Sequence, residues 1–210
     1  MIYSFDRLPS TQTWLEERVK EGEVALPCAV LARSQSDGIG SRGHRWIGRP
    51  GNFFASVALQ RDRLPEDLPL NAVSIYMAMT MKLTLAEMGS GVWVKWPNDF
   101  YVNDRKAGGC ITSLKKDTII SGIGLNLADA PENFAVLDIS TTPEEVLERF
   151  LIELEKKSTW KQIFSIFSLE FDRSKKFSAH DGDEKVHLGE AVLQADGSLM
   201  IGNKRVTSLR

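Results

Sequence analysis

The run Lys95-Trp96-Pro97-Asn98-Asp99, continued through Val102-Asn103-Asp104-Arg105-Lys106 to Gly108-Gly109, constrains this chain more than any other stretch. Gly91-Val92-Trp93-Val94 ahead of it is short and β-prone, which sets Lys95 at a strand end. Pro97 lacks a backbone N–H and fixes φ, so it is expected to stop the ladder and splay the next residues outward. Val102–Lys106 reads as a tight hairpin turn, and Gly108–Leu114 returns as a second strand. The expected product is a lysine, carboxamide and carboxylate side chains and two large aromatics at one sheet edge. An ammonium so placed suits a carboxylate or a phosphate. The same residues are also compatible with a solvated strand end and plain packing of Trp96-Pro97.

The 210 residues fit one domain, or one with a small appendage, and 42% hydrophobic content supplies a core. A net charge of −2 points to neither nucleic acid nor a membrane surface. Cys28 and Cys110 are far apart, which suggests buried thiols in a reducing, cytoplasmic setting. His44, His180 and His187 show no metal-ligand spacing. No apolar run reaches the roughly 18 residues of a membrane span. Met1–Arg7 reads as a strand rather than a signal peptide, leaving no room for a separate N-terminal domain.

Ser10 or Thr11 is a good N-cap for a helix in which Trp14, Leu15 and Val19 share helical spacing. Helix N-terminal hydroxyls and amides can also meet a ligand. Pro27–Arg33 is a buried strand. It feeds a glycine-rich loop, Ser34–Trp46, in which Gly38, Gly40 and Gly43 satisfy G-x-G-x-x-G. A dinucleotide fold is rejected, because that motif should open a helix and Gly48, Pro50 and Gly51 break one. Loop amides with Arg42, His44, Arg45 and Arg49 could still wrap phosphates, or form an ordinary surface loop. Gly51–Leu59 is a strand, and Leu70–Met88 is a helix so apolar that it must be buried. Thr118–Leu127 is a strand whose glycines mark close approach of a ligand or another backbone, or a bulge. Thr141-Thr142-Pro143 starts a helix to about Lys157, and Trp160–Glu170 is another. From Lys175 the chain turns to short strands at Lys185–Leu188, Glu190–Gln194 and Ser198–Ile201.

Lys95–Asp99 followed by Lys106-Ala107-Gly108-Gly109 resembles the signature of biotin protein ligases, in the form without an N-terminal DNA-binding domain. Three other segments resemble the same family in order. Ser10-Thr11-Gln12 stands where the family has Ser-Thr-Asn. Gly38–Trp46 is similar to Gly-Arg-Gly-Arg-x-Gly-Arg-x-Trp, with Ile39, Ser41 and His44 in place of the arginines. Gly122–Asn126 is similar to the family's Gly-Ile-Gly-Ile-Asn strand.

The resemblance implies an α+β fold, with helices on one side of a mixed β-sheet in a class II synthetase-like catalytic domain, residues 1–172. A small SH3-like β-barrel, residues 173–210, would follow. It implies a ligase that makes biotinyl-5′-AMP from biotin and ATP, with Mg²⁺, and passes biotin to a lysine of a biotin carboxyl carrier protein, binding neither DNA nor membrane. It assigns Lys95 and Arg42 to catalysis. It assigns Ser10, Thr11, Gln12, Gln35, Gly38, Ile39, Gly40, Ser41 and Lys95 to biotin. It assigns Arg42, Arg45, Trp46, Asn98, Gly124 and Asn126 to the adenylate. A lipoate or octanoate ligase of the same fold, or a non-catalytic biotin or nucleotide sensor, are the alternatives.

Overall fold

The computed structural model describes residues 1–40, 45–182 and 184–207, the side chain of residue 47 apart. A seven-stranded sheet runs in the order β1-β2-β5-β9-β8-β7-β6. Its strands are β1 (Ile2–Phe5), β2 (Cys28–Ala32), β5 (Phe53–Gln60), β6 (Trp93–Lys95), β7 (Asp99–Val102), β8 (Arg105–Lys115) and β9 (Thr118–Leu125). β1 is parallel to β2 and every other pair is antiparallel, so the sheet is mixed.

The central strands are apolar on both faces because both are covered. Ala29, Leu31, Ala55, Val57, Ile119 and Ile123 join a core with α2 (Val73–Glu87), α3 (Pro143–Glu155) and α4 (Trp160–Glu170). The alternate residues Val30, Ala58 and Ile120 pack with Leu15 of α1 (Thr11–Glu21). Successive strand residues point to opposite faces, so α1 lies across the sheet from the other helices. Helices therefore flank both faces, not one side, because β2, β5 and β9 carry apolar residues on both of their faces.

α2 is apolar all round and is buried along both Ile75–Met79 and Thr84–Leu85. Thr80 and Thr84 satisfy their hydroxyls inside it by donating to the carbonyls of Tyr76 and Thr80. α3 starts as expected, with Thr142 accepting from Glu145 N and Pro143 in the first turn. α4 opens with a reciprocal capping box between Thr159 and Gln162.

The glycine-rich segment is mostly strand. β3 (Gln35–Ile39) and β4 (Arg45–Gly48) form a separate antiparallel ribbon with Gly38 opposite Trp46. Among the described residues no helix opens there, in keeping with the rejection of a dinucleotide fold. Pro97 lies in the turn of the β6–β7 hairpin, where Lys95 pairs with Asp99. It folds the chain back instead of splaying it outward, because the two flanking strands are partners in one ladder.

The tail forms two small antiparallel sheets: β10 (Ser178–Asp181) with β11 (Glu184–His187), and β12 (Val192–Leu193), β13 (Leu199–Ile201) and β14 (Lys204–Val206). Among the described residues they do not close into a barrel. The two sheets are consistent with the small SH3-like domain expected, and Ala179, Leu188, Leu199 and Val206 are buried in the same core as α2. Among the described residues no helix is long and apolar enough to cross a membrane.

Candidate active site

The site lies on the α1 face of the sheet, where β8 and β9 meet the N-terminus of α1 and the β3–β4 ribbon. Ser10 is the N-cap and its hydroxyl accepts from Thr13 N at 3.3 Å. Thr11 N donates to Gln35 Oε1 at 2.7 Å, and Ser56 Oγ donates to Thr11 Oγ1 at 2.9 Å. The helix start is thus bolted to the ribbon and to β5, and Ser10, Thr11 and Gln12 are all buried. Gln12 reaches further than the family's asparagine. Its Nε2 donates to Glu16 Oε1 at 2.8 Å and to Ser113 Oγ at 3.3 Å. Because Glu16 offers only an acceptor, the amide nitrogen must face it. Gln12 Oε1 is left buried without a partner among the described residues.

Two glycines of β9 make room for this face. A Cβ at Gly122 would meet Gln12 Oε1 at 2.7 Å, and one at Gly124 would meet Trp46 Cε2 at 2.9 Å. The close approach is by side chains, rather than by another backbone. Trp46 lies on Gly124 with its Nε1 buried and without a partner among the described residues. A buried donor and a buried acceptor left unpaired each cost about 1–3 kcal/mol, which marks this wall as built for a polar partner.

The charged end of the site comes from the central run. Asp99 Oδ1 is 2.6 Å from Lys106 Nζ, and its Oδ2 is 3.5 Å from Lys95 Nζ. Burial pushes the Lys95 ammonium below the ordinary lysine range, and Lys106 nearby pushes the same way while Asp99 resists. Burial works against the Asp99 carboxylate, but the two ammoniums outweigh it and hold its pKa low. Two lysines against one aspartate leave a charge of +1, which favours an anion in this partly desolvated setting.

One cavity joins these parts. Of the residues singled out in the sequence, Ser10, Thr11, Gln12, Gln35, Ile39, Gly40, Trp46, Asn98 and Gly124 line it. Gly38 sits behind the wall, where a Cβ would strike Gln35 Nε2 and Trp46 O, each at 2.7 Å. Lys95 does not line the cavity; it is 7% exposed and stands behind Asp99, which does. Asn98 lines the cavity, yet its amide is engaged, donating to Cys110 O at 2.6 Å.

Two further expected residues are not brought to the cavity. Asn126 donates from Nδ2 to Ala135 O at 3.0 Å, so it ties down the segment after β9. Arg45 is exposed and pairs with Asp37 at 3.1 Å. Ser41 and Arg42 lie outside the described residues.

The sequence reading gave no site role to Lys106, Gly109 or Ile111, and none beyond a general one to Asp99 and Gly122, all of which also line the cavity. Strand alternation could have found some of them. Asp99, Gly109 and Gly124 are cross-strand partners and so share a face, as do Ile111 and Gly122. Lys106 obeys no such rule, because Ala107 is an extra residue in β8 and reverses the alternation beyond it.

The biotin/lipoate A/B protein ligase family model matches residues 4–127. The biotin acetyl coenzyme A carboxylase synthetase of Helicobacter pylori, solved with bound biotinylated ATP, is 40% identical with a TM-score of 0.93 over 98% of each chain. The biotin protein ligase of Aquifex aeolicus, solved with biotin and ATP, shares the fold at 21% identity, with a TM-score of 0.70 over 98% of this chain and 94% of that one. The bifunctional ligase/repressor BirA of Escherichia coli is 32% identical over 128 residues, 58% of this chain. The biotin–[acetyl-CoA-carboxylase] ligase of Paracoccus denitrificans is 32% identical over 127 residues, 56% of this chain. These matches span 39% of the first relative's length and 51% of the second's.

Proposed function

This chain belongs to the biotin/lipoate A/B protein ligase family, and from that premise we propose that it joins biotin to ATP and passes the biotinyl group to a carrier lysine. The observation that carries this reading is one cavity with a polar wall at one end and a cationic cluster at the other. Ser10, Thr11, Gln12 and Gln35 form the wall, and Lys106 with Lys95 behind Asp99 forms the cluster. A cyclic urea with a carboxylate tail matches both ends, whereas the dithiolane of lipoate offers the wall no hydrogen-bonding group.

In the first step the biotin carboxylate oxygen attacks the α-phosphorus of ATP. Biotinyl-5′-AMP forms and pyrophosphate leaves. Two anions must meet, so the barrier falls where fixed cations hold them in line. Lys95 supplies such a charge on a strand end, with Asp99 across the ladder limiting where its ammonium can swing. Trp46 offers an aromatic face over Gly124 for the adenylate base. In the second step the lysine amine of the carrier attacks the acyl carbon, AMP leaves and the amine sheds a proton. Mg²⁺ would come with the nucleotide phosphates and share in neutralising them.

Arg42 and Ser41 belong to this proposal as phosphate and biotin contacts of the ribbon tip, and Arg45 and Asn126 as contacts made when the nucleotide is present. The acceptor is a biotin carboxyl carrier protein, and the reaction belongs in the cytoplasm, consistent with two buried free cysteines. Site-specific DNA binding is not part of the role.

The test is pyrophosphate release with ATP, Mg²⁺ and either biotin or lipoate, followed by label transfer to a biotin carboxyl carrier domain. Release and transfer with biotin alone are expected. Release with lipoate alone would move the chain to the neighbouring branch, and tight biotin binding without release would make it a sensor.

A further inference from the structure

Glu16 does not line this cavity, yet it governs what the cavity wall presents. It stands one helical turn after Gln12 on α1. Its Oε1 accepts from Gln12 Nε2 at 2.8 Å and from Ser113 Oγ at 2.7 Å, while its Oε2 lies 3.7 Å from the half-exposed Lys115 ammonium. Ser113 commits its one hydroxyl proton to Glu16, so toward Gln12 Nε2, 3.3 Å away, it is an acceptor. The carbonyl of Ile120 accepts from the same nitrogen at 3.4 Å. These three neighbours are all acceptors, so the amide fits only one way round. Its Oε1 is turned toward Gly122, where an added Cβ would lie 2.7 Å away. That oxygen has no partner among the described residues, although Gln12 is only 5% exposed. Gln12 and Gly122 both line the cavity.

We propose that Glu16 is a positioning residue for substrate recognition: it holds the Gln12 amide with its nitrogen turned away and its oxygen toward the cavity, where that oxygen accepts a ring N–H of the substrate's urea. An acceptor fixed in the wall takes an N–H and disfavours a second acceptor, since two oxygens would then meet with no proton between them. Without Glu16 the Ser113 hydroxyl is released to donate, and it can donate to the amide oxygen. The flipped amide then gains a partner, and it turns N–H groups toward the N–H groups of the substrate. The inference rests on the ligase reading for the identity of the substrate, and on the hydrogen bonds around Gln12 alone for the orientation of the amide.

The experiment combines calorimetry, kinetics and NMR on the full chain. Glu16→Met keeps the length of the side chain and removes the acceptor. It is expected to raise Kd and KM for biotin roughly tenfold, the size of one exchanged buried hydrogen bond, with kcat and KM for ATP within about twofold of the parent. Glu16→Gln keeps an oxygen for Gln12 Nε2 and should stay within about threefold of the parent for biotin. Gln12→Leu should weaken biotin as much as Glu16→Met does, and the double variant should be no weaker than either, since the two residues act through one contact. The side-chain amide protons of Gln12, assigned from Gln12→Leu, should exchange slowly with solvent in the parent and fast in Glu16→Met. Should Glu16→Met fail to fold, Glu16→Ala carries the same expectation, alanine being the strongest helix former.

Unchanged biotin affinity in folded Glu16→Met or Glu16→Ala overturns the proposal. So does an equal rise in KM for biotin and for ATP, which a loosened α1 alone would produce. Glu16→Gln as weak as Glu16→Met overturns it too, because the charge and not the acceptor would then matter. If the parent binds no biotin and releases no pyrophosphate with any acid, the ligase reading fails and the urea contact with it, while the amide exchange still decides whether Glu16 holds Gln12.

Discussion

Lys95 is an ammonium kept 7% exposed behind Asp99, which lines the cavity that the ligase reading fills with an anion. If it holds carboxylate and phosphate as charge develops, Lys95→Ala should lose at least ~10²-fold in adenylate formation, as losses of single transition-state donors do. Near-parental pyrophosphate release by that variant would remove Lys95 from the mechanism. Its depressed pKa, set first by burial, also fixes a pH dependence. The cation is the working form, so activity should fall on the alkaline side, beginning below the ordinary lysine range. Lys95→Arg should lack that limb. Cys110 sits beside the same cavity but does not compete as a nucleophile. Its thiol lies 3.1 Å from Ser121 Oγ, and burial pushes it up to about 11. Native protein should therefore react with a thiol reagent at neutral pH far more slowly than unfolded protein.

At the scale of elements, β9 is a platform whose glycines are occupied by side chains from elsewhere. Glycine to alanine inside a strand ordinarily stabilises by about 0.5–1 kcal/mol. Here that gain is offset, because a Cβ at position 122 meets Gln12 and one at 124 meets Trp46. Gly124→Ala should weaken ATP binding and Gly122→Ala biotin binding. Each should raise the corresponding KM several-fold with little change in the thermal midpoint, and isothermal titration checks the assignment. The α1 start is the matching half of the platform. Ser10→Ala should cost about 1 kcal/mol of stability through the lost cap, a change that urea denaturation resolves.

For the whole molecule, the tail is part of the catalytic run's support. Trp96 N donates to Ser174 Oγ at 3.1 Å, and Trp96 Nε1 donates to Gly197 O at 2.9 Å. Trp160 Nε1 reaches Ala195 O at 2.8 Å, and Asn71 Nδ2 reaches Asp196 O at 3.0 Å. The turn at Asp196-Gly197 is thereby plugged between α2 and α4. Gly197 has φ of +81°, and a Cβ there would lie 2.8 Å from Ile75 Cδ1. Gly197→Val combines a strained backbone with a clash and should cost at least about 2 kcal/mol, read from the denaturation midpoint. Because the same turn holds Trp96, the variant should also lower adenylation. Loss of stability with unchanged kcat would uncouple the tail from Lys95.

Much of this protein was legible before folding. Patterns of period two and 3.6, caps such as Thr142-Pro143, and the Lys95–Gly109 run gave the element order, the strand end under Lys95 and a polar helix start at Ser10. These are local signals, carried by neighbours in sequence. Tertiary structure decided the rest. The bulge at Ala107 put Lys106 on the cavity face, since one extra residue reverses a strand's alternation without leaving a mark in composition. Packing on both faces sent α1 across the sheet from α2, and a hydrogen bond to Ala135 turned Asn126 away from the cavity. The tail docked on Trp96, because its apolar residues share the α2 core and Gly197 O takes the Trp96 indole N–H. Each of these outcomes depends on residues far apart in the chain, which no local period records.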